Sequence, residues 1–490
     1  MSPTFVRRCR APLALGVAIA LSLPWAAQAQ STPKSTAGIS AREQQLEQRV
    51  DQLQQEVAEL KAMIQQQQAA ATQTAQQAQA TATQAATTAQ ATSTKVEAAA
   101  PGSGKPVFST APGLSVALHG FIDATAFSQN KSFVYGNGQN AEYPAATAGN
   151  RGSLSGVDVR NTRFWLDFSG TKLAGDWIGG GRIEMDFFGG YNGSGAYSQQ
   201  QPIPRLRQAY MDLINPDSGT TIRIGQQWDL LFPLDNVTAS LSHVAFPLGF
   251  GTGMIGWRFP GVVWMQDLNH GSTGGIRWRL DVGAFSGSWN GPDGAVNNTN
   301  YLTAGNAGFR PQIEARLHAQ GKNWLAYAVA HYSTVDLRGV NGTAATPVRS
   351  DVKSVGYEVG GQWKPGPWVF RANAYTGKGL GQVFGDLSQF GDIKDTGGYL
   401  QAGYNFTPNW NLSGVYAASK PNKQDVIRWM GNGSTGLLRS RQNGVELTYA
   451  AGNYELGLEW LYGWLDSTTN GTSTKTTSGN QVSLSAMYHF

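Results

Sequence analysis

Arginine and acidic residues alternate with apolar residues in several short stretches of the sequence. In RNTRFWLDFSG, Arg163 and Asp167 share one parity, while Phe164, Leu166 and Phe168 share the other. The stretches GGRIEMDFF, IRWRLDV and FRPQIEARLHA repeat this arrangement. Guanidinium groups bind carboxylates through paired hydrogen bonds, and rows of arginine in a pore favour anions. These spacings predict a polar face that is rich in cationic groups.

A spacing of two residues is the period of a β-strand, because successive side chains of a strand point to opposite faces. Beyond Pro112 this alternation returns sixteen times. The predicted strands lie near residues 114–127, 157–170, 176–189, 204–214, 220–229, 255–268, 275–287, 307–319, 323–336, 351–364, 366–377, 396–406, 409–419, 439–451, 453–466 and 478–490. The predicted fold class is therefore all-β, with about 16 antiparallel strands.

The predicted connections alternate between short and long. Short turns such as NPDSG at 215–219 are followed by long loops such as 230–254. Outer-membrane barrels have this asymmetry, with short periplasmic turns, long external loops and an even number of strands. The last strand, QVSLSAMYHF, alternates apolar and polar residues and ends on Phe490, as closing strands of such barrels do. This alternation favours a transmembrane barrel over a soluble sandwich, because nothing in a soluble sandwich requires short and long loops to alternate.

If the apolar parity of each strand faces lipid, the opposite parity lines the lumen. A charged side chain on the lipid face costs about 2–4 kcal/mol at mid-membrane, so the arginines are expected inside. The predicted lumen arginines are Arg163, Arg182, Arg223, Arg277, Arg279, Arg310, Arg316 and Arg371. Arg207 is ambiguous because neither parity of LRQAYMDL is cleanly apolar. Two interpretations stay open: arginines paired with acids that stiffen the wall, or unpaired arginines that form a track for anions.

The third long loop, LLFPLDNVTASLSHVAFPLGFGTGM at 230–254, is too apolar to extend into water. We expect it to fold into the lumen and narrow it, with Asp235 and His243 as polar contacts. WRFPG at 257–261 follows directly, which would place Arg258 near the narrowest point.

The amino-terminal region has a different character. Three arginines, an apolar run and Ala27-Gln28-Ala29 predict a signal peptide at 1–29. It would carry away Cys9, the only cysteine, and would leave a nearly neutral mature chain of 34 basic and 32 acidic residues. Ile, Val and Leu at heptad spacing predict a short α-helical coiled coil at 39–64, or a single amphipathic helix docked on the body. A Gln/Ala/Thr-rich tether at 65–112 precedes the barrel at 113–490.

The order of signal peptide, heptad helix, tether and barrel motifs resembles the DcaP-like family of outer-membrane porins. The motifs are GRIEMDFFGG, LRQAYMDL, IRIGQQWDLLFP and WRFPGV. The resemblance implies a homotrimeric channel of Gram-negative bacteria that prefers small anions such as dicarboxylates, with a periplasmic coiled coil. The heptad residues by themselves favour two strands in the coil, so its oligomeric state would be set by the barrels.

The leading functional prediction is a passive diffusion channel with a mild preference for small anionic solutes. The alternatives are a sugar-specific porin, which needs a line of lumen aromatics, and a structural tether of the envelope with a plugged barrel. An enzyme is not expected, since no Ser/His/acid arrangement occurs, and neither a metal site nor a cofactor is expected. The expected partners are lipid, further copies of the chain and, through the coiled coil, the periplasm or cell wall, without nucleic acid.

Overall fold

A computed structural model describes residues 55, 107–111, 113–133, 138–146, 154–191, 200–272, 274–286, 311–336, 348–349, 351–383, 387 and 389–490. The predicted signal peptide, the predicted coiled coil except Gln55, and the predicted tether up to residue 106 lie outside these ranges. Among the described residues, no helix has both the length and the apolar character needed to cross a membrane.

Alternating sequence forms eighteen strands in the described part of the chain. They are β1 (Val107–Ala111), β2 (Leu114–Gln129), β3 (Leu154–Asp158), β4 (Arg163–Lys172), β5 (Ile178–Asp186), β6 (Arg205–Asn215), β7 (Thr220–Trp228), β8 (Arg258–Asp267), β9 (Arg277–Phe285), β10 (Gln312–Gln320), β11 (Trp324–Asp336), β12 (Asp351–Trp363), β13 (Trp368–Lys378), β14 (Lys394–Asn405), β15 (Trp410–Ser419), β16 (Leu437–Ala451), β17 (Tyr454–Ser467) and β18 (Lys475–His489). A short α-helix, Lys423–Arg428, and 3-10 turns at Gly138–Asn140, Leu234–Asn236 and Leu380–Val383 lie in the loops.

The strands close into a barrel of sixteen antiparallel positions, which confirms the predicted strand number. From β4 to β18 each strand pairs with the next, and β18 returns to pair with β2 from Gln481 opposite Gln129 to His489 opposite Phe121. Closure leaves no open sheet edge, which a bilayer would not tolerate. On the outer face Val359, Leu400 and Leu484 are each more than half exposed, while their strand neighbours Glu358, Gln401 and Ser485 are buried. The apolar parity therefore faces lipid.

One predicted strand, 157–170, is divided in the structure. Its two pieces, β3 and β4, both pair with β2 and together fill one barrel position. At the break the Thr162 hydroxyl accepts a hydrogen bond from the Asp123 amide at 3.1 Å, which replaces a bond of the ladder. Asn161 is fully buried and bonds to the loop inside the barrel. The strand is interrupted because Asn161 and Thr162 make these contacts instead of continuing the hydrogen-bond ladder.

The carboxyl terminus completes the seam at the end where the short turns lie. Gly120 and Phe490 exchange two backbone hydrogen bonds of 3.0 and 3.1 Å. Below them β1, within the segment predicted as tether, pairs with the first residues of β2. The seam is therefore built from β18, Phe490 and β1 along one side of β2.

Two long loops fold into the barrel. They are L1, which connects β2 to β3 and is described at 130–133 and 138–146, and L3 (229–257), which connects β7 to β8. Gln442 on the inner wall joins them, because its amide donates to the Glu142 carbonyl at 2.7 Å and accepts from the Gly249 amide at 2.6 Å. L1 thus covers part of L3.

Replacement of Gly120 tests the closing contact. A Cβ at Gly120 would lie 2.5 Å from Phe490 Cζ and 2.6 Å from the Arg163 carbonyl oxygen. Because both are far inside contact distance, Gly120→Ala should lower the free energy of unfolding by about 1–3 kcal/mol, measured by urea unfolding in lipid vesicles. Gly414→Ala is the control, since a Cβ there meets only one oxygen, at 3.9 Å. Equal stability of the two variants would contradict the role given to this contact.

Glu142 makes the packing of L1 sensitive to pH. Its carboxylate is buried against Gly251 and neither oxygen has a hydrogen-bond partner among the described residues, so burial raises the pKa of Glu142 well above its ordinary value. The folded loop favours the protonated acid, and its stability is lost as the pH rises from the ordinary glutamate pKa through the raised one.

Hydrogen exchange of residues 138–146 should therefore be faster in the wild type than in Glu142→Gln, and the difference should grow from pH 5 to pH 8. Comparison at equal pH removes the intrinsic pH dependence of exchange. A difference that is independent of pH would show that Glu142 does not titrate in this range.

Candidate functional site

L3 crosses the lumen and binds the wall opposite its own strands. The Asn236 side chain donates to the Ala372 carbonyl of β13 at 2.7 Å, and the Ala239 amide donates to Gln401 of β14 at 2.8 Å. On the other flank, Asn161 donates to the Ser242 carbonyl at 2.8 Å. The loop therefore spans the interior, as the apolar sequence predicted.

Four buried carboxylates fix the course of L3. At its base Asp229 accepts from the Phe232 and Trp257 amides, and Glu314 accepts from the Leu230 amide at 2.6 Å. At its far side two further acids are engaged. These are Glu446, which accepts from the Leu241 amide at 2.9 Å, and Glu459, which accepts from Ser240 Oγ at 2.5 Å and contacts His243 Nδ1 at 2.7 Å. A hydrogen bond contributes about 0.5–1.5 kcal/mol, and several converge on this loop, so these acids hold it.

Aromatic packing supports the same loop from its base. Trp228 and Phe232 stack with ring centroids 3.7 Å apart, and Trp257 contacts Phe246 and Phe250 at 5.9 and 5.5 Å. Offset and edge-on contacts of this kind stabilise beyond the area they bury. L3 is therefore a packed element of the barrel.

Between L3 and the wall lies a cavity of about 760 Å³. Its charged lining consists of Arg163, Arg182, Arg207, Arg223 and Arg371 with Glu184, Glu446 and Glu455. Four of the five arginines were predicted, and they come from strands β4, β5, β7 and β13. The fifth, Arg207, was ambiguous in sequence and lies in the cavity on β6.

Several arginines of the lumen are neutralised by neighbouring acids. Arg182 binds Asp167 through two hydrogen bonds of 2.7 and 3.0 Å, and Arg223 binds Asp212 at 2.8 and 2.9 Å. Arg207 lies between Glu184 and Asp186. Away from the cavity, Arg279 and Arg316 share Asp281. These contacts match the wall-stiffening interpretation.

Four predicted arginines form no hydrogen bond to a carboxylate among the described residues: Arg163, Arg258, Arg277 and Arg371. Arg163 Nε lies 3.8 Å from Glu184 and has no hydrogen bond, and its Nη2 donates to the Val244 carbonyl of L3 at 3.3 Å. Arg371 donates to the Gln401 side chain at 3.1 Å. Arg258 is buried between the rings of Trp228 and Trp257, with its Nη1 unbonded.

Four of the five aromatic residues that line the cavity face a guanidinium group. Arg223 lies 3.8 Å from the Tyr210 ring centroid, and the other distances are longer. They are 5.4 Å for Arg163 over Phe121, 5.5 Å for Arg182 over Trp165 and 5.7 Å for Arg207 over Trp228. Cations within about 6 Å of a ring face are attracted to it. The rings therefore hold the arginines in place along the wall.

The remaining predicted residues are spread along the lumen. Arg277 is exposed at the short-turn end of β9, and Arg310 lies outside the described residues. In L3, Asp235 is about half exposed and lies 3.9 Å from His318, whereas His243 is buried against Glu459. Sequence parity did not identify Glu446 and Glu459 as the acids that hold L3, since only the fold shows what faces them.

A closed barrel of sixteen antiparallel strands with its third long loop folded inside has the architecture of outer-membrane porins. The structure is similar to that of the outer-membrane channel DcaP of Acinetobacter baumannii, with a TM-score of 0.58 and 20% sequence identity over 78% of this chain and 99% of that one. It is also similar to OmpF of Salmonella typhi, with a TM-score of 0.51 and 13% identity over 79% of this chain and 100% of that one. The predicted resemblance to the DcaP channel is thus confirmed in fold. No family model and no curated protein matches the sequence.

Removal of the Glu459 carboxylate should loosen L3. Glu459→Ala removes the acceptor for both Ser240 and His243, so the loop should fluctuate and single-channel recordings should show more frequent current steps. Glu455→Ala is the control, because Glu455 lies in the same strand as Glu459 but contacts His489 at 3.6 Å instead of L3. Equal current noise in the two variants would mean that Glu459 does not restrain the loop.

Proposed function

We propose that the protein is an outer-membrane porin, a passive diffusion channel with a mild preference for small anions such as dicarboxylates. The observation that carries the proposal is the charge on the two sides of the cavity beside L3. Arginines line one side, and the opposite wall contributes Glu446 and Glu455 as its charged acids together with Arg371. The porin fold supports diffusion across the outer membrane.

L3 weakens the acidic side of this cavity. Glu446 faces the loop backbone, and Glu459 is buried under Ser240 and His243. Backbone and side-chain donors of L3 satisfy these carboxyl groups, and Glu459 does not line the cavity. Arg163 on the arginine side and Arg371 on the opposite wall retain guanidinium N–H groups that no carboxylate of the described residues accepts. Rows of such donors lower the barrier for anions and bind carboxylates in a bidentate manner.

A sugar-specific channel needs aromatic rings that are free to stack on a pyranose. The cavity has five aromatic residues, but the rings of Phe121, Trp165, Tyr210 and Trp228 face guanidinium groups, and Phe232 stacks on Trp228. Their faces are already occupied. The arrangement favours charged solutes over sugars.

The amino-terminal region completes the proposal. We infer a signal peptide at 1–29 and a periplasmic coiled coil at 39–64 that can contact the periplasm or cell wall. We also infer a tether from residue 65 that ends before β1, which pairs with β2, and a homotrimer of barrels. The signal sequence, the heptad spacing and the resemblance in fold support this organisation.

Ion selectivity tests the proposed arginine track. Arg163→Gln with Arg371→Gln should move the reversal potential in a salt gradient toward cation preference and weaken block by succinate, because neither guanidinium donates a hydrogen bond to a carboxylate of the described residues. The control is Arg182→Gln with Asp167→Asn, which removes a neutral pair and should leave selectivity nearly unchanged. A wild-type channel that prefers cations and is not blocked by succinate would overturn the proposal.

A further inference from the structure

A row of cationic side chains crosses the outer face of the barrel at its long-loop end. The row spans five consecutive strand positions, from β12 to β16. Its members are Lys353, Lys378, Lys394, Lys420, Arg439 and Arg441. None of them belongs to the lumen described above.

The parity of each strand turns these side chains outward. Lys353 shares the parity of Tyr357 and Val359 on β12, which are each more than half exposed on the lipid face. Lys394 shares the parity of the exposed Leu400 on β14. Arg439 and Arg441 share the parity of Val445 on β16, which is also exposed. The row therefore faces the membrane surface instead of the pore.

The strand register brings the charges side by side. Lys378 lies directly opposite Lys394, and the Lys420 amide bonds to the Thr396 carbonyl at 2.9 Å. Adjacent strands are about 4.8 Å apart, so like charges at these positions repel one another unless an anion lies between them.

The protein supplies few anions to this face. Among the described residues, Asp392 binds Lys378, and Asp466 on the same face accepts a hydrogen bond from Thr476 at 2.6 Å. Asp351 lies at the edge of the row, on the parity of Lys353. No ion pair within 4.0 Å joins a described acid to Lys394, Lys420 or Arg439.

Part of the row lines a recess of about 550 Å³ beside the helix Lys423–Arg428. Lys394, Lys420, Lys423 and Arg439 converge there with Thr396 and Asp466. Two further carboxylates near the recess are engaged elsewhere. Asp395 bonds to Tyr375 and Ser419 inside the barrel. Asp425 of the helix accepts from the Lys394 backbone amide at 3.2 Å and pairs with Arg428 at 3.1 Å. The recess thus holds four cations, one outward acid and hydroxyl donors, which suits a phosphate group.

The position of the row relative to the membrane indicates the source of the phosphate. On the same outward face Tyr416 lies below Lys420, at a distance of four residues or about 13 Å. Trp464 lies directly opposite Arg441 at the lower end of the row, with its ring 5.3 Å from the guanidinium. Aromatic residues mark the interface between hydrocarbon and headgroups. In a porin the long loops face the outside, so the row lies at the headgroups of the outer leaflet.

We propose that the recess formed by Lys394, Lys420, Lys423 and Arg439 binds a phosphate group of the glycolipid of the outer leaflet. The acyl chains of the lipid would lie along the apolar strands below, and its phosphate would separate the crowded cations. Arginine and lysine bind phosphate oxygens through charge-assisted hydrogen bonds. This site requires the outer-membrane barrel and is independent of the selectivity of the pore.

Native mass spectrometry of the full chain in detergent tests the site, with bisphosphorylated lipid A as the probe. Lys394→Gln, Lys420→Gln and Arg439→Gln together should reduce the affinity by at least about tenfold, since each cation near an anionic surface contributes about 1 kcal/mol. The matched control replaces Lys172, Lys322 and Lys364, which are exposed near the short turns, and should bind as the wild type does. Heat-modifiable mobility confirms that both triple variants form the barrel.

Three outcomes would overturn the proposal. Equal binding by the two triple variants would show that charge elsewhere holds the lipid. Equal binding of lipid A stripped of phosphate would show that only the acyl chains are recognised. Displacement of the lipid by inorganic phosphate at a similar concentration would indicate a site for free phosphate instead of a lipid. Loss confined to the first triple variant and to the phosphorylated lipid supports the site.

Discussion

The interior of this barrel depends on carboxylates that accept hydrogen bonds from the backbone of one loop. A sixteen-strand barrel is too wide for its own side chains to fill, so its lumen needs an inserted element. L3 is that element, and Asp229, Glu314, Glu446 and Glu459 fix both its base and its far side. An apolar loop would bury its amide groups at a penalty, and these acids supply the missing acceptors.

The same contacts create the electrical character of the cavity. Acids that bind L3 present little charge to a passing solute, while Arg163 and Arg371 keep donors without a carboxylate partner. The other cavity arginines are paired, but stacking on Trp165, Tyr210 and Trp228 still keeps them at the wall. Loop anchoring and charge asymmetry are thus two results of one arrangement.

Alternation in the sequence predicts most of the barrel because lipid on one side and polar groups on the other impose a period of two. It predicts the sixteen positions and four of the cavity arginines. It does not predict the break before Arg163, where the Asn161 side chain is drawn to L3, nor the place of Arg207, which follows an irregularity in register between β5 and β6. The sequence also does not predict which acid pairs with which arginine. The partner of Arg182 lies on another strand, and the register between the two strands determines it.

The seam at Gly120 and Phe490 sets an order of events for assembly. Contacts across it join residues that are far apart in the chain, as in the hydrogen bond between Thr125 and Ser485, which are 360 positions apart. Such a contact cannot form until the whole barrel has been synthesised, and long separations make folding slow. Strand β2 therefore keeps one edge unpaired until β18 has been synthesised. Protection of that edge during this interval decides whether the barrel closes or the chain aggregates.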